Sequence, residues 1–387
     1  MTIAMQNRGN DERASYRDRQ AGRDAVMNAP VAVPVPETLE EALSPQWLSA
    51  ALQDRYPGIT VNQVESGPVV SRVSTNARFT IKYSGINGQG PSSSLCVKGY
   101  FNEIGQAARY IGEAETYFYR DLVEPAGIRT LACIYADVDP ATRHGVVITE
   151  DIVAAGGEFI DAATDYTPEQ AASSLREMAK LHALTWGNAQ YAETAWLRPR
   201  MGTTLTLWGE EAVTARIEAN VLGPNGHRVP QKSRAPKKLF DAYTTLVAET
   251  KELIADPGTA WCVIHGDGHP GNLIIDADGK PSLVDWQLVQ RGLWYFDVGY
   301  HIASTLTVDD RRRTERELLE GYLAALTEFG VVDAPAFGEA WDLLGRGVVH
   351  GYYLWGITAE VNPKLTEILC HRLGTAVADH DGLSKLL

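Results

Sequence analysis

Between Val263 and Asp297 stand three polar residues whose types and spacing can do chemistry. Asp267 follows a short apolar run, Asn272 comes five residues later, and Asp285 comes eighteen residues after Asp267, behind another apolar run. One carboxylate facing a hydroxyl, with an amide and a second carboxylate holding Mg²⁺ on phosphates, is the set that phosphoryl transfer from ATP to an alcohol requires. Local structure has to deliver all three to one place. Trp261 to Ile264 reads as a buried strand. Leu273 to Ile275 and Ser282 to Val284 read as two more, joined by Asp276-Ala277-Asp278-Gly279. Asp-Gly between apolar runs is a hairpin signal. A hairpin brings its outer ends together, so Asn272 and Asp285 are expected to ligate one ion, with Asp267 in the loop just before. Oxygen ligands suit Mg²⁺, which keeps waters and phosphate oxygens as its other ligands.

The run His265-Gly266-Asp267, the asparagine at 272 and the run Asp285-Trp286-Gln287 resemble the catalytic segment of the aminoglycoside phosphotransferase and choline kinase-like family, a branch of the protein-kinase fold. The Val-Asp-Trp-Gln ending and Asp297-Val-Gly-Tyr300 look most like its ecdysteroid-kinase-like branch. The resemblance implies an α+β, protein-kinase-like two-lobe fold, with a small antiparallel-sheet N-lobe and a larger, mainly helical C-lobe. It implies ATP and Mg²⁺ as cofactors and a small-molecule hydroxyl as acceptor. It also implies structural roles for His265, which would fix the loop through hydrogen bonds, and for Asp297, which would tie the metal loop to a helix. His269 is open between an acceptor contact and a loop contact. His182, in Leu181-His182-Ala183, resembles the family's Leu-His-Ala helix. It falls on an apolar stripe with Leu175, Met178 and Trp186, and reads as a satisfied core histidine.

The remaining elements must position this segment. Residues 1–36 read as a disordered polar tail and a Pro-rich connector, 37–152 as a nucleotide-binding N-lobe, and 153–387 as the C-lobe with the catalytic loop, metal site and acceptor pocket. A helix, split at Ser44-Pro45, is expected over 38–53. Strands follow from Val61 to Tyr83, with Gly67-Pro68 and Ser74-Thr75-Asn76 as turn material. Leu95-Cys96-Val97-Lys98 is a strand ending in a lysine that can reach the α- and β-phosphates. Its partner should be a glutamate of the helix expected over 105–122. Glu115 is preferred, because Glu115-Thr-Tyr-Phe-Tyr119 resembles the Glu-x-x-Phe-Tyr run of the ecdysteroid-kinase-like branch; Glu113 is the other choice. No Gly-x-Gly-x-x-Gly or Walker loop is present. Ser71, Ser74 and Thr75 are the residues available to cover phosphates, with Ser74 the chosen contact. Glu150-Asp151 resembles the family's interlobe hinge, and backbone groups from Thr149 to Ile152, Glu150 and Ile152 in particular, would bind adenine. Helices are expected over 166–187, in parts of 202–255, and over 309–330, 336–361 and 363–380.

Composition narrows the partners. The chain has 387 residues, 44% hydrophobic and 22% charged, with a net charge of −14. That balance excludes a nucleic-acid footprint. No apolar run reaches the length of a membrane span or a secretory signal. Cys96, Cys133, Cys262 and Cys370 form no Cys-x-x-Cys pair, which fits reduced thiols in a cytoplasmic protein. Oligomeric state is not legible. Two rival readings exist. His265-x-Asp267-x-His269 has the ligand types of a metal-dependent hydrolase, but the other histidines, at 144, 182, 227, 301, 350, 371 and 380, stand singly. A non-catalytic nucleotide-binding protein on the same fold should have lost Lys98, Asp267, Asn272 or Asp285, and all four are present. Trp341, Tyr352, Tyr353 and Trp355 cluster late in the chain; they can line an apolar or aromatic acceptor pocket, which is slightly favoured over a polycationic one, and core packing explains most of them equally well.

Overall fold

The computed structural model describes residues 33–256, 258–359 and 361–387. Of the disordered tail and Pro-rich connector expected over residues 1–36, residues 1–32 lie outside them. The end of the Pro-rich connector is docked: Val35 and Pro36 are buried, and Trp47 Nε1 donates to the Pro34 carbonyl (2.8 Å). Trp47 belongs to α1 (Pro45–Ala51). The Ser44 hydroxyl caps α1 by accepting the Trp47 amide, and Pro45 opens its first turn.

Five strands form one antiparallel sheet: β1 (Thr60–Ser71), β2 (Thr75–Ser84), β3 (Ser94–Gly99), β4 (Cys133–Val138) and β5 (Gly145–Glu150), in the order β1-β2-β3-β5-β4. Phe79, Ile81, Leu95, Val97 and Ile148 form a buried layer with Trp47 and Leu48. Period-two alternation explains this, since every second side chain of a strand faces the same way. Gly67-Pro68 does not turn the chain as expected. It lies inside β1, where the register against β2 slips between Ser66 and Val69. The slip is a bulge, which tolerates the missing proline N–H. Gly67 is needed there because an added Cβ would meet the Arg78 carbonyl at 2.9 Å. The turn itself is Arg72 to Ser74, and Thr75 and Asn76 already belong to β2.

The helix expected over 105–122 is broken. Asn102 caps a short helix, Glu103–Ala107, and a second, α2 (Arg109–Tyr117), starts after Ala108. Phe118–Leu122 then continues as a π-helical turn, a device common near functional sites. Phe118 here stacks on Trp286, with ring centres 3.9 Å apart.

The second lobe is mainly helical. In α3 (Pro168–Thr185) Thr167 and Gln170 form a reciprocal capping box, and Gly187 (φ +54°) turns the chain away afterwards. The helix α4 (Thr203–Val221) is kinked at Gly209, and α5 (Pro236–Ala255) follows. The short strands β6 (Glu158–Phe159), β7 (Cys262–Ile264), β8 (Leu273–Ile275), β9 (Pro281–Leu283) and β10 (Gln290–Gly292) make two small sheets, β6-β8-β9 and β10-β7. The strand expected over 282–284 lies one residue earlier. The hairpin loop is also longer than an Asp-Gly turn, because Ile275 pairs with Pro281. Asp276 Oδ1 accepts the Asp278 and Lys280 amides and organises it.

Four helices close the lobe: α6 (Tyr295–Thr305), α7 (Val308–Glu328), α8 (Phe337–Ile357) and α9 (Pro363–Asp379). Helices α6 and α8 approach until an added Cβ at Gly347 would lie 1.8 Å from the Tyr295 carbonyl. Glycines at 299, 347 and 351 permit that approach, and it carries Trp355 to Tyr300. No helix among the described residues is long and apolar enough to cross a membrane.

Candidate active site

Lys98 ends β3 with its ammonium between two carboxylates from distant parts of the chain. Nζ lies 2.7 Å from Glu115 Oε2 and 2.7 Å from Asp285 Oδ1. Glu113, two residues from Glu115, points away and pairs with Arg143 instead, as the helical rotation between them demands. Burial alone would favour the neutral amine of Lys98, but Asp285 and Glu115 outweigh it and hold the ammonium well above its ordinary range. Burial pushes the Glu115 carboxyl up, against the attraction of Lys98. It pushes Asp285 up as well, yet the charge and hydrogen bond of Lys98 bring Asp285 below the usual carboxylate range. Glu115 Oε1 also accepts the Trp286 amide (3.2 Å), so this helix residue grips the loop that carries Asp285. Asp285 itself holds a left-handed backbone (φ +60°), a conformation uncommon outside glycine and frequent at functional positions.

Asp267 and Asn272 meet on the other side. Asn272 Nδ2 donates to the Asp267 carbonyl (2.9 Å) and to Asp267 Oδ2 (3.3 Å). Both bonds use the amide nitrogen, which turns Oδ1 away from Asp267. The Val284 amide donates to the Asn272 carbonyl (2.9 Å), holding the residues next to both ends of the hairpin together.

The loop before Asp267 is held from beneath by buried groups. Asp297 accepts the amides of His265 (2.7 Å) and Gly266 (2.8 Å). It also contacts His182 Nε2 (3.1 Å), whose other nitrogen meets the Tyr322 hydroxyl (2.7 Å). The resemblance gives Asp297 the task of tying the metal loop to a helix. It anchors the loop of Asp267 instead, because its oxygens face two amides exposed where β7 ends. His301 Nδ1 donates to the Gly268 carbonyl (2.8 Å), and His350 Nε2 to the Gly266 carbonyl (3.3 Å). Burial pushes both imidazoles down, His301 to about 4, so both are neutral at pH 7. Histidines that stand singly in the sequence therefore converge on one loop.

His265 uses both ring nitrogens on the backbone: Nε2 donates to the Val284 carbonyl (2.9 Å), and Nδ1 accepts the Asp267 amide (3.2 Å). It has no nitrogen left for a metal, and the hydrolase reading loses a ligand. No group of three His, Cys, Asp or Glu suited to a metal occurs among the described residues. His269 Nδ1 accepts the Gly271 amide (3.0 Å), and its ring stands edge-on to Trp355. Burial pushes it below its ordinary value despite Asp267.

Residues 155–334 match the family model described as the phosphotransferase enzyme family, APH. The match spans 180 of the 387 residues. It starts just after the five-stranded sheet and contains Asp267, Asn272 and Asp285. Solved structures similar to the whole chain include a choline kinase from Streptococcus pneumoniae (14% identity, 84% of this chain and 94% of that one, TM-score 0.39). Others are a Plasmodium vivax ethanolamine kinase (11%, 94% and 94%, 0.44) and a macrolide 2'-phosphotransferase from Brachybacterium faecium (13%, 83% and 96%, 0.43). Likenesses at these identities and scores do not tell one acceptor from another. No curated protein matches the chain.

A cavity of about 760 Å³ opens over Asp267, Asn272 and Asp285. Tyr300, on α6, donates its hydroxyl to Asp267 Oδ1 (3.2 Å) and accepts from Trp355 Nε1 (2.7 Å). Sequence reasoning assigned neither residue a role at Asp267. The signal for Trp355 was the late aromatic cluster, of which it alone lines this cavity; Tyr352 and Tyr353 are buried in the core. The β1–β2 turn contributes Arg72 to the cavity wall. Ser74, the expected phosphate contact, faces inward along the turn: its hydroxyl accepts from Asn76 Nδ2 (3.4 Å). Asn102 clamps this turn through bonds to the Ser71 hydroxyl (2.6 Å) and the Arg72 carbonyl (2.8 Å). Glu150 and Ile152 lie at the end of β5, outside the cavity wall. The Glu150 amide donates to Ala132, and the Ile152 carbonyl accepts from Gly157.

Proposed function

We propose that this chain moves the γ-phosphate of Mg·ATP to a hydroxyl of a small organic molecule with an apolar or aromatic body. The observation that carries the reading is the Lys98–Asp285 contact across the two lobes (2.7 Å), beside a cavity that also holds Asp267 and Asn272.

The residues fit Mg²⁺ by type and arrangement. Asp285 offers carboxylate oxygens and Asn272 a carbonyl oxygen that Asp267 leaves unused, and one or two such ligands are what Mg²⁺ takes beside phosphates. When bound, Mg·ATP supplies the transferable phosphoryl group. Lys98, oriented by Glu115, would hold the α- and β-phosphates. Arg72 would face the same phosphates from the β1–β2 turn, and Ser74 would serve through its backbone. Glu150 and Ile152 would meet adenine through backbone groups, with residues 37–152 as the nucleotide-binding lobe and 153–387 as the catalytic one. Asp267, fixed by Tyr300 and Asn272, would accept the acceptor hydroxyl as a hydrogen bond and take its proton late, since the transition state is loose. A cytoplasmic setting suits ATP and four free thiols.

The test is ADP release with Mg·ATP against pooled alcohols, phenols and antibiotics, with Asp267→Asn as control. Acceptor-dependent release should fall about 10² to 10⁴-fold in the variant, as for loss of a general base, and chelation of the metal should abolish it. A protein that binds no Mg·ATP would sink the proposal.

A further inference from the structure

The cavity lining includes an apolar set, Trp208, Leu354, Ile357, Val361, Leu365 and Leu369. Two cations line it as well, Arg72 from the β1–β2 turn and Arg216. Arg216, on α4 beyond the Gly209 kink, places its guanidinium carbon 4.3 Å from the centre of the Trp208 ring. That stacking is the one interaction its side chain makes among the described residues. The acids nearby are already engaged. Asp161 Oδ1 accepts the Ala163 amide (2.7 Å), Asp267 is held by Tyr300 and Asn272, and Asp285 is held by Lys98.

This arrangement discriminates by charge. A quaternary ammonium or an aminosugar would seek an aromatic face or a carboxylate. Here a cation already covers one face of Trp208, and a second would meet it with like charge. An uncharged apolar alcohol would fill the wall and make no use of the exposed guanidinium. An anion changes both terms, because a guanidinium presents a planar fork that fits a carboxylate through two parallel hydrogen bonds.

We infer that the acceptor is an alcohol with an apolar body and a carboxylate, the hydroxyl lying at Asp267 and the carboxylate docking on Arg216. The inference rests on the phosphotransferase reading of the same cavity. Arg216 acts at a distance from the reacting atoms, so it sets specificity and takes no part in the transfer step.

Matched acceptors that differ only in charge test it: 4-(hydroxymethyl)benzoate, its methyl ester, and 4-(hydroxymethyl)benzyltrimethylammonium, with 12-hydroxydodecanoate, its methyl ester and its trimethylammonium counterpart as a longer set. Binding is followed by tryptophan fluorescence in the presence of Mg·ATP, and turnover by ADP release. The carboxylates should show a KM about twofold to fivefold below their esters, the size of one partly solvated ion pair. Arg216→Gln should erase that difference, Arg216→Lys should keep part of it, and Arg216→Glu should shift the preference to the ammonium compounds. Preference of the unaltered protein for ester or ammonium overturns the inference. So does a carboxylate preference that survives Arg216→Gln, or silence toward all six compounds from a protein that binds Mg·ATP. Failure to bind Mg·ATP at all strikes the phosphotransferase reading itself, which separates the two failures.

Discussion

The Tyr300 hydroxyl donates to Asp267 Oδ1 across 3.2 Å while accepting the Trp355 indole proton at 2.7 Å. Burial and the neighbouring Asp267 charge keep the phenol well above its ordinary pKa, so it remains a donor throughout the working pH range. The pair fixes one oxygen of Asp267 and leaves the other beside Asn272. Tyr300→Phe removes a hydrogen bond to a charged group, about 1.5–3 kcal/mol. It should lower kcat about tenfold to hundredfold, with the KM for ATP within about twofold. Steady-state ADP release checks this, and an unchanged kcat would show that Tyr300 only packs.

Lys98 is the one cation between Glu115 and Asp285. Lys98→Met should raise the KM for ATP more than tenfold and destabilise the protein by roughly 3 kcal/mol, since it leaves two carboxylates without their shared partner. Glu115→Gln should weaken ATP binding too, because Lys98 loses one of two anchors. Glu113→Gln should change ATP binding by less than twofold and stability by less than about 1 kcal/mol, since it frees only the half-exposed Arg143. Nucleotide titrations and denaturant melts of the three variants give the comparison. Equal effects at 113 and 115 would contradict it.

The β1–β2 turn lacks the glycines of a flexible phosphate loop and is held by Asn102. Its amide nitrogen bonds to the turn while its Oδ1 accepts the Gly105 amide (2.6 Å). Asn102→Ala should loosen Arg72 and raise the KM for ATP about threefold to tenfold, the effect of one or two lost hydrogen bonds. Gly105→Ala should act in the same direction, because its Cβ would meet the Val73 carbonyl at 2.6 Å. Isothermal titration with a nonhydrolysable ATP analogue reads both. Wild-type affinity in both would remove the turn from the nucleotide site.

Asp297 sets an acid limit. Burial pushes its carboxyl up, but the hydrogen bond and charge of His182, the nearby His265 ring and the Gly266 amide outweigh burial and hold it below the usual range. A carboxyl held down in the folded chain binds its proton more weakly there than when unfolded. Its stabilisation is complete above the unfolded value of about 3.9 and is lost as pH falls through the folded one. Thermal melts should therefore decline below about pH 4. Asp297→Asn should flatten that decline and cost roughly 3–5 kcal/mol at neutral pH. An unaltered acid profile in the variant would assign the decline to other carboxyls.

Much of the catalytic segment was legible in the chain. Period-two and apolar-run patterns marked β2, β3, β7 and the β8–β9 pair, and the apolar stripe of Leu175, Met178 and Trp186 marked α3. These features are local: a turn, a stripe or an alternation is decided by a few neighbouring residues. The spacing of Asp267, Asn272 and Asp285 belongs with them, because a hairpin closes over its own sequence. The errors also have local causes. Gly67-Pro68 has the composition of a turn, but β2 pairs across it and converts it into a bulge. The helix around Ala108 breaks where Asn102 caps a short first segment.

What only the tertiary structure decided is which distant groups complete the site. Lys98 and Asp285 are 187 residues apart, and Tyr300 and Trp355 are 55 apart. The histidines at 182, 301 and 350 stand singly in the sequence, and only packing brings them to the loop of Asp267 and to Asp297 beneath it. Arg216 and Trp208 meet across a helix kink. No periodicity encodes such meetings. They follow from close helix approach at Gly299, Gly347 and Gly351 and from the requirement that every buried loop amide and carbonyl find a partner. The sequence by itself determined the spacing of Asp267, Asn272 and Asp285 and the hairpin that joins the last two, through short-range geometry. The tertiary structure decided how Asp267 is oriented and what the cavity wall is made of, because those depend on contacts between elements far apart in the chain.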